Sequence, residues 1–243
     1  MKKILFILMF SATAMSCGDL GKVLSTTGDI LNGGGLTSQD AAAGIKQALE
    51  FGVSNGTSFL GKRDGFLKNA AYQILMPKEV RDFESKIRSN PIANALAGQY
   101  LDRVKTSMNR GAEKAMVKAK PIFVSAIRQM TITDAINIVR GQPGAATSFL
   151  RRATENQLKA QFMPVIGNSL KSVNISQPWN KVSSAYNMVA NKQVTTNLNE
   201  YVTDNAMNAL FSQIRKEEND IRANPAKRTT DLLKRVFANA GSR

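Results

Sequence analysis

The chain has 243 residues, with 33 Lys and Arg against 18 Asp and Glu, a formal charge of +15. It contains no His and a single Cys. These counts exclude Ser-His-Asp and Cys-His nucleophile systems, His-liganded metals, intrachain disulfides and Cys-rich clusters. Any catalysis would have to use carboxylates, Lys, Tyr, Ser or Thr. At 43% apolar residues, the chain can bury a core of ordinary size in one domain.

The N-terminus reads as an address. Lys2 and Lys3 precede the apolar run Ile4–Phe10, and small residues follow up to Ser16. That order matches a secretory signal peptide over residues 1–16; about 20 apolar residues would be needed to span a bilayer. A buried N-terminal helix is the alternative. Cys17, directly after the small residues, resembles a bacterial lipoprotein acceptor, with Ser16 acceptable and Ala14-Met15 looser than the common Leu-Ala pair. The same small residues also suit an ordinary signal peptidase, which would release a soluble exported protein. Several acyl chains on Cys17 would anchor the chain stably, because each buried CH₂ contributes about 0.8 kcal/mol. Residues 17–36 follow as a Gly-rich tether, with Gly33-Gly34-Gly35 near its end. Flexible chain of that length reaches about 25 Å.

Residues 37–240 read as a helical domain, giving an all-α fold: a single-domain multi-helix bundle. Thr37-Ser38-Gln39-Asp40 marks a helix start, and Ala41, Ile45, Ala48, Leu49, Gly52, Gly56 and Phe59 share a face. Gly44, Gly52 and Gly56 each weaken a helix by about 1 kcal/mol; close helix packing, or a kink, would explain them. A punctuated loop over 61–77 precedes a charged helix at 78–89, broken by Asn90-Pro91. The next helix runs to about Lys118 on the stripe Ala93, Leu96, Tyr100, Val104, Met108, Gly111, Ala115 and Ala119. Pro121 interrupts it before a helix through Met130. Thr131 and Thr133, before Asp134, mark another helix start, with Gly141 and Pro143 ending it. Helices are predicted at 144–162, 164–173, 178–190, 198–222 and 229–239, the last capped by Thr229. The only strand-like stretch is Gln193–Thr196, and no long repeat points to a solenoid.

Few patterns suggest chemistry. Gly33-Gly34-Gly35 lacks the spacing and context of a phosphate loop. Glu217, Glu218 and Asp220 lie among Arg215, Lys216 and Arg222, as expected of a solvated, salt-bridged face. Glu200 and Asp204, four apart, are a weak divalent-cation pair. Arg128 and Arg140 occupy or follow largely apolar helices, so they are expected to be buried beside a carboxylate, with Asp134, Asp204 and Asp231 as candidates.

Several segments together resemble a known bacterial family, domain of unknown function 4197. They are Asp64-Gly65-Phe66-Leu67, Lys120–Phe123 through Ala126–Thr131, Asp134-Ala135 with Arg140-Gly141, Tyr201–Asp204 and Arg228–Leu233. The resemblance spans about residues 37–237 and implies an exported helical protein, often lipoprotein-like, with no activity, substrate or cofactor attached. It marks Asp64, Arg128, Asp134, Arg140, Asp204 and Asp231 as motif residues of undetermined role.

The expected protein is an envelope lipoprotein anchored at Cys17, facing the periplasm from the outer membrane. No catalytic residue, cofactor or metal is assigned. Removing residues 1–17 deletes two Lys and no acid, leaving 31 against 18, or +13. Such charge attracts anionic lipids and envelope polymers. Nucleic acid is not an expected partner, given the exported location and few stacking aromatics. A non-catalytic binding or scaffold role leads; a carrier of lipid or apolar ligand between helices, and a carboxylate enzyme, are the alternatives.

Overall fold

The computed structural model describes residues 37–172, 174, 179 and 197–237. The signal-peptide, Cys17, tether, 178–190 helix and 193–196 readings fall wholly or mostly outside them. Seven α-helices occur among the described residues: α1 Ser38–Gly61, α2 Lys78–Ser89, α3 Pro91–Gln129, α4 Ile132–Arg140, α5 Ala145–Lys171, α6 Leu198–Ala223 and α7 Asp231–Phe237. None of the described residues forms a strand, so the chain is all-α, as its periodicity predicts.

Local chemistry sets the helix starts. Thr37 and Asp40 form a capping box at α1, and Thr131 and Asp134 form another at α4. In each, the Thr hydroxyl accepts from the backbone N–H three residues on while the Asp accepts in return, satisfying two otherwise unpaired donors. Asn90 and Asn197 cap α3 and α6. At α7 the cap is Thr230, whose hydroxyl accepts from the Leu233 N–H, not the expected Thr229.

Two prolines do not divide their helices. Pro121 lies inside α3 and Pro164 inside α5, where the sequence predicts breaks. Each removes one hydrogen bond to the carbonyl four residues earlier. Val117 and Ala160, which carry those carbonyls, are exposed, so water can take the missing donor's place.

The long helices α1, α3, α5 and α6 form a ring in which each neighbour runs antiparallel to the next. Lys46 and Lys120 tie α1 to the last turns of α3, through the Arg128 carbonyl and Ser54 Oγ. Ser107 donates to the Ser169 carbonyl between α3 and α5. Arg151–Asn208 and Lys159–Glu200 run between α5 and α6. On α1, Gly52 faces Glu217 and Gly56 faces Ile214 of α6. A Cβ at Gly44 would lie 2.7 Å from Val236 Cγ2 of α7. The helix glycines therefore serve close approach, and α1 continues through all three. The core is built from Ile45, Leu60, Met108, Met116, Phe123, Leu150, Phe162, Leu210 and their neighbours. Short α4 leaves α3 at a bend of 103° and packs on α1.

The α3 stripe is only half buried. Val104, Met108, Gly111, Ala115 and Ala119 face the core. Leu96 and Tyr100 do not: they are exposed, as is Ile92. The first turns of α3 run past the end of α5, and α2 covers their other side.

Candidate functional site

Two internal polar clamps use most of the buried charge. The first holds the 62–77 loop to α3. Glu113, 5% exposed, accepts the Phe66 and Leu67 N–H groups, each at 3.1 Å, on Oε1. Its Oε2 accepts from Arg110 at 2.6 Å, and Arg110 also donates to Asp64 Oδ1 at 2.6 Å. Those contacts hold the Asp64 carboxyl below the usual carboxylate range, chiefly through the Arg110 hydrogen bond, and raise Arg110, chiefly through Glu113. Asp64 has φ +66°, a left-handed conformation that costs about 1–2 kcal/mol in an L-residue. One turn earlier on α3, Asn109 is fully buried; it accepts the Ile74 N–H at 2.8 Å and donates to the Ile74 carbonyl at 2.9 Å. The side chain thus pairs with the loop as a strand backbone would. Phe66 and Ile74 are consequently held in the core.

The second clamp joins α6 to the α4–α5 turn. Glu218 accepts the N–H groups of Gly144, Ala146 and Thr147 and the Thr147 hydroxyl, at 2.8–3.1 Å. Gly144, with φ +94°, offers α5 no side-chain cap; the carboxylate from α6 supplies one, at the positive end of the helix dipole. Arg222 pairs with Glu218 at 3.0 Å and donates to the Ile138 carbonyl at 2.8 Å. Arg228, also buried, donates to the carbonyls of Ile221 and Arg222. Beside the clamp, Ile45, Ile138, Ile214, Ile221 and Phe237 line a cavity of about 20 Å³, room for about one water.

The sequence-marked residues do not gather at one place. Arg128 and Arg140 are exposed, correcting the expectation that they are buried. Each falls on the outward side of its helix, so water solvates the charge and no carboxylate is required. The more enclosed arginines are Arg228, which is buried, and half-buried Arg222, whose guanidinium groups donate to main-chain carbonyls at helix ends. Asp134 completes the α4 cap, and the Thr131 hydroxyl and N–H hold its carboxyl low. Exposed Asp231 pairs with Lys234 at 3.1 Å. Lys159 sits between Glu200 at 3.0 Å and Asp204 at 3.1 Å, so a cation already occupies the position that a divalent ion would need. Lys159 is raised accordingly, most by Glu200. No group of three or more acidic or sulfur ligands suited to a metal occurs among the described residues. Glu218 is buried rather than on a solvated face, because it caps α5. Cys17 lies outside the described residues.

The outer side of α3 is one exposed surface whose cations have no carboxylate partner among the described residues. Positions 92, 96, 100 and 103, and again 114, 118, 121, 125 and 128, recur at helical spacing on that side; between them Ser107 is buried against α5 and Arg110 is held in the first clamp. Its first turns present Ile92 (76% exposed), Leu96 (81%) and Tyr100. Its later turns present Arg103, Lys114, Lys118 and Arg128, with Val117 (73%) among them. None of those four cations makes an ion pair among the described residues. The carboxylates of α3 are Asp102, paired with Arg88 at 2.6 Å, and Glu113, turned inward. The surface is therefore basic because its acids are used elsewhere. No single described helix is long and apolar enough to cross a membrane.

No curated protein and no solved structure matches the chain. A family model described as protein of unknown function (DUF4197) matches residues 35–238. That range takes in both clamps and the whole of α3, and the chain belongs to this family.

Proposed function

We propose that the protein is a non-catalytic binding or scaffold protein of the cell envelope, carried to the periplasmic face of the outer membrane by lipidation at Cys17. Its basic surface meets anionic envelope components. The observation that carries this reading is the outer side of α3, where four cations stand without carboxylates. Charge arranged in this way attracts phosphate-bearing and acidic surfaces over the Debye length, about 8 Å at physiological salt. The buried carboxylates hold main-chain N–H groups and structural arginines, which favours binding over acid–base chemistry. The cavity beside Glu218 is too small for an acyl chain, so it lends nothing to a carrier role.

The test is association of the exported chain with lipopolysaccharide and with phosphatidylglycerol vesicles, against phosphatidylcholine vesicles, across a salt series. Binding to the anionic targets that weakens at least tenfold as salt rises supports the reading. Equal, salt-independent binding to neutral and anionic targets removes it.

A further inference from the structure

The outer side of α3 carries two chemistries along one helical side, interrupted at its middle by buried Ser107 and by Arg110 in the first clamp. The apolar half bears Ile92, Leu96 and Tyr100. The basic half bears Arg103, Lys114, Lys118 and Arg128. A helix of 39 residues is about 58 Å long, so the apolar and basic turns lie along one axis. Its apolar turns are exposed at 76% and 81% at Ile92 and Leu96, although a soluble helix would ordinarily place polar residues there. The face directed at α2 is the polar one, where Arg88 binds Asp102 and the Gly98 carbonyl.

We infer that the outer side of α3 is a membrane-docking face that lies along an anionic lipid bilayer, with Ile92, Leu96 and Tyr100 entering the headgroup–acyl boundary and Arg103, Lys114, Lys118 and Arg128 over lipid phosphates. Charge complementarity selects the occupant. Adjacent apolar and cationic side chains on one exposed helical side match the layered chemistry of a lipid surface. A polyanion in solution would engage the cations but leave Ile92 and Leu96 in water. Tyr100 suits the boundary, having an apolar ring and a polar hydroxyl. This inference rests on the anionic-binding reading and adds the partner and the face.

The test places an environment-sensitive fluorescent amino acid at position 96, and separately at exposed Ser212 on α6, across the ring from α3. The full chain keeps Cys17 and its native processing, so any tether is the same in every sample. Samples are reconstituted with phosphatidylcholine vesicles containing or lacking phosphatidylglycerol, and quenched with neutral acrylamide. With phosphatidylglycerol present, quenching at 96 should fall at least threefold, with a blue shift, while quenching at 212 stays constant. K114E/K118E/R128E, all at exposed positions, should abolish that protection without changing the circular dichroism. Equal quenching at 96 and 212 in both vesicle types overturns the docking face. If the chain still binds phosphatidylglycerol vesicles or lipopolysaccharide in a salt-sensitive way, only the face is wrong. If it binds neither, the anionic-binding reading falls with it.

Discussion

Glu113 and Glu218 do the same job in different surroundings. Each is a buried carboxylate on a long helix, each gathers consecutive main-chain N–H groups from another segment, and each is paired with an arginine on its own helix. Glu113 gathers the Phe66 and Leu67 donors, and its arginine turns outward to half-exposed Asp64. Glu218 gathers donors at the start of α5, and its arginine turns inward to the Ile138 carbonyl. The Glu218–Arg222 pair is more deeply enclosed, with side chains 7% and 12% exposed. Water can partly replace a partner lost at the first clamp, but far less at the second. A buried pair is not an automatic source of stability, yet removing one half of it is costly.

That contrast sets the order of effects. Glu218→Ala leaves Arg222 and three N–H groups without their acceptor and should cost about 3–5 kcal/mol. The denaturation midpoint of the exported chain in urea measures this directly. A loss under about 1 kcal/mol would mean that water fills the clamp and that the comparison is wrong. Glu113→Gln keeps one acceptor oxygen for Phe66 and Leu67 but gives up the charged bond to Arg110, which can still reach Asp64. The expected loss is about 1–2 kcal/mol. Limited proteolysis should find the 62–77 loop cut faster in this variant, while the α4–α5 turn is cut at the wild-type rate.

The helices were legible because their signals are local. Thr37 and Asp40, Thr131 and Asp134, and the alternation of Val202, Ala206, Leu210 and Ile214 each lie within a few turns of sequence. The clamps were not, because each glutamate and the main-chain donors it gathers are 46–74 residues apart and carboxylates on helices usually face water. A signal was present at α3: Asn109 and Glu113 fall among Met108, Ala112 and Met116, where polar residues do not belong unless they are satisfied. Arg128 and Arg140 show the converse. Apolar neighbours in sequence point to other sides of a helix, so they say little about the residue itself. Pro121 and Pro164 suggest breaks in sequence because each must forfeit a helical hydrogen bond. On an exposed helix face it is only a local cost.

The smallest expected effect lies outside both clamps and isolates what a carboxylate does when it is not enclosed. Asp134 caps α4 at the surface, with its carboxyl held low chiefly by the Thr131 hydroxyl and then by the Thr131 N–H. A folded-state value below the unfolded one stabilises the fold above about pH 4 and is lost as pH falls through the folded value. Asp64, held low by Arg110, adds to the same acid limb, as does Asp40 at the α1 cap. Asp134→Asn retains an oxygen acceptor for the cap but has no proton to gain. The variant should therefore melt slightly below wild type at pH 7 and converge with it as pH falls through the folded-state value of Asp134. A thermal-melting series from pH 7 to pH 2 reads this difference. A gap that stays constant across the series would show that the cap acts through hydrogen-bond geometry alone. The charge at the first turn of α4 would then contribute nothing, and an exposed carboxylate would differ from Glu113 and Glu218 in kind rather than in degree.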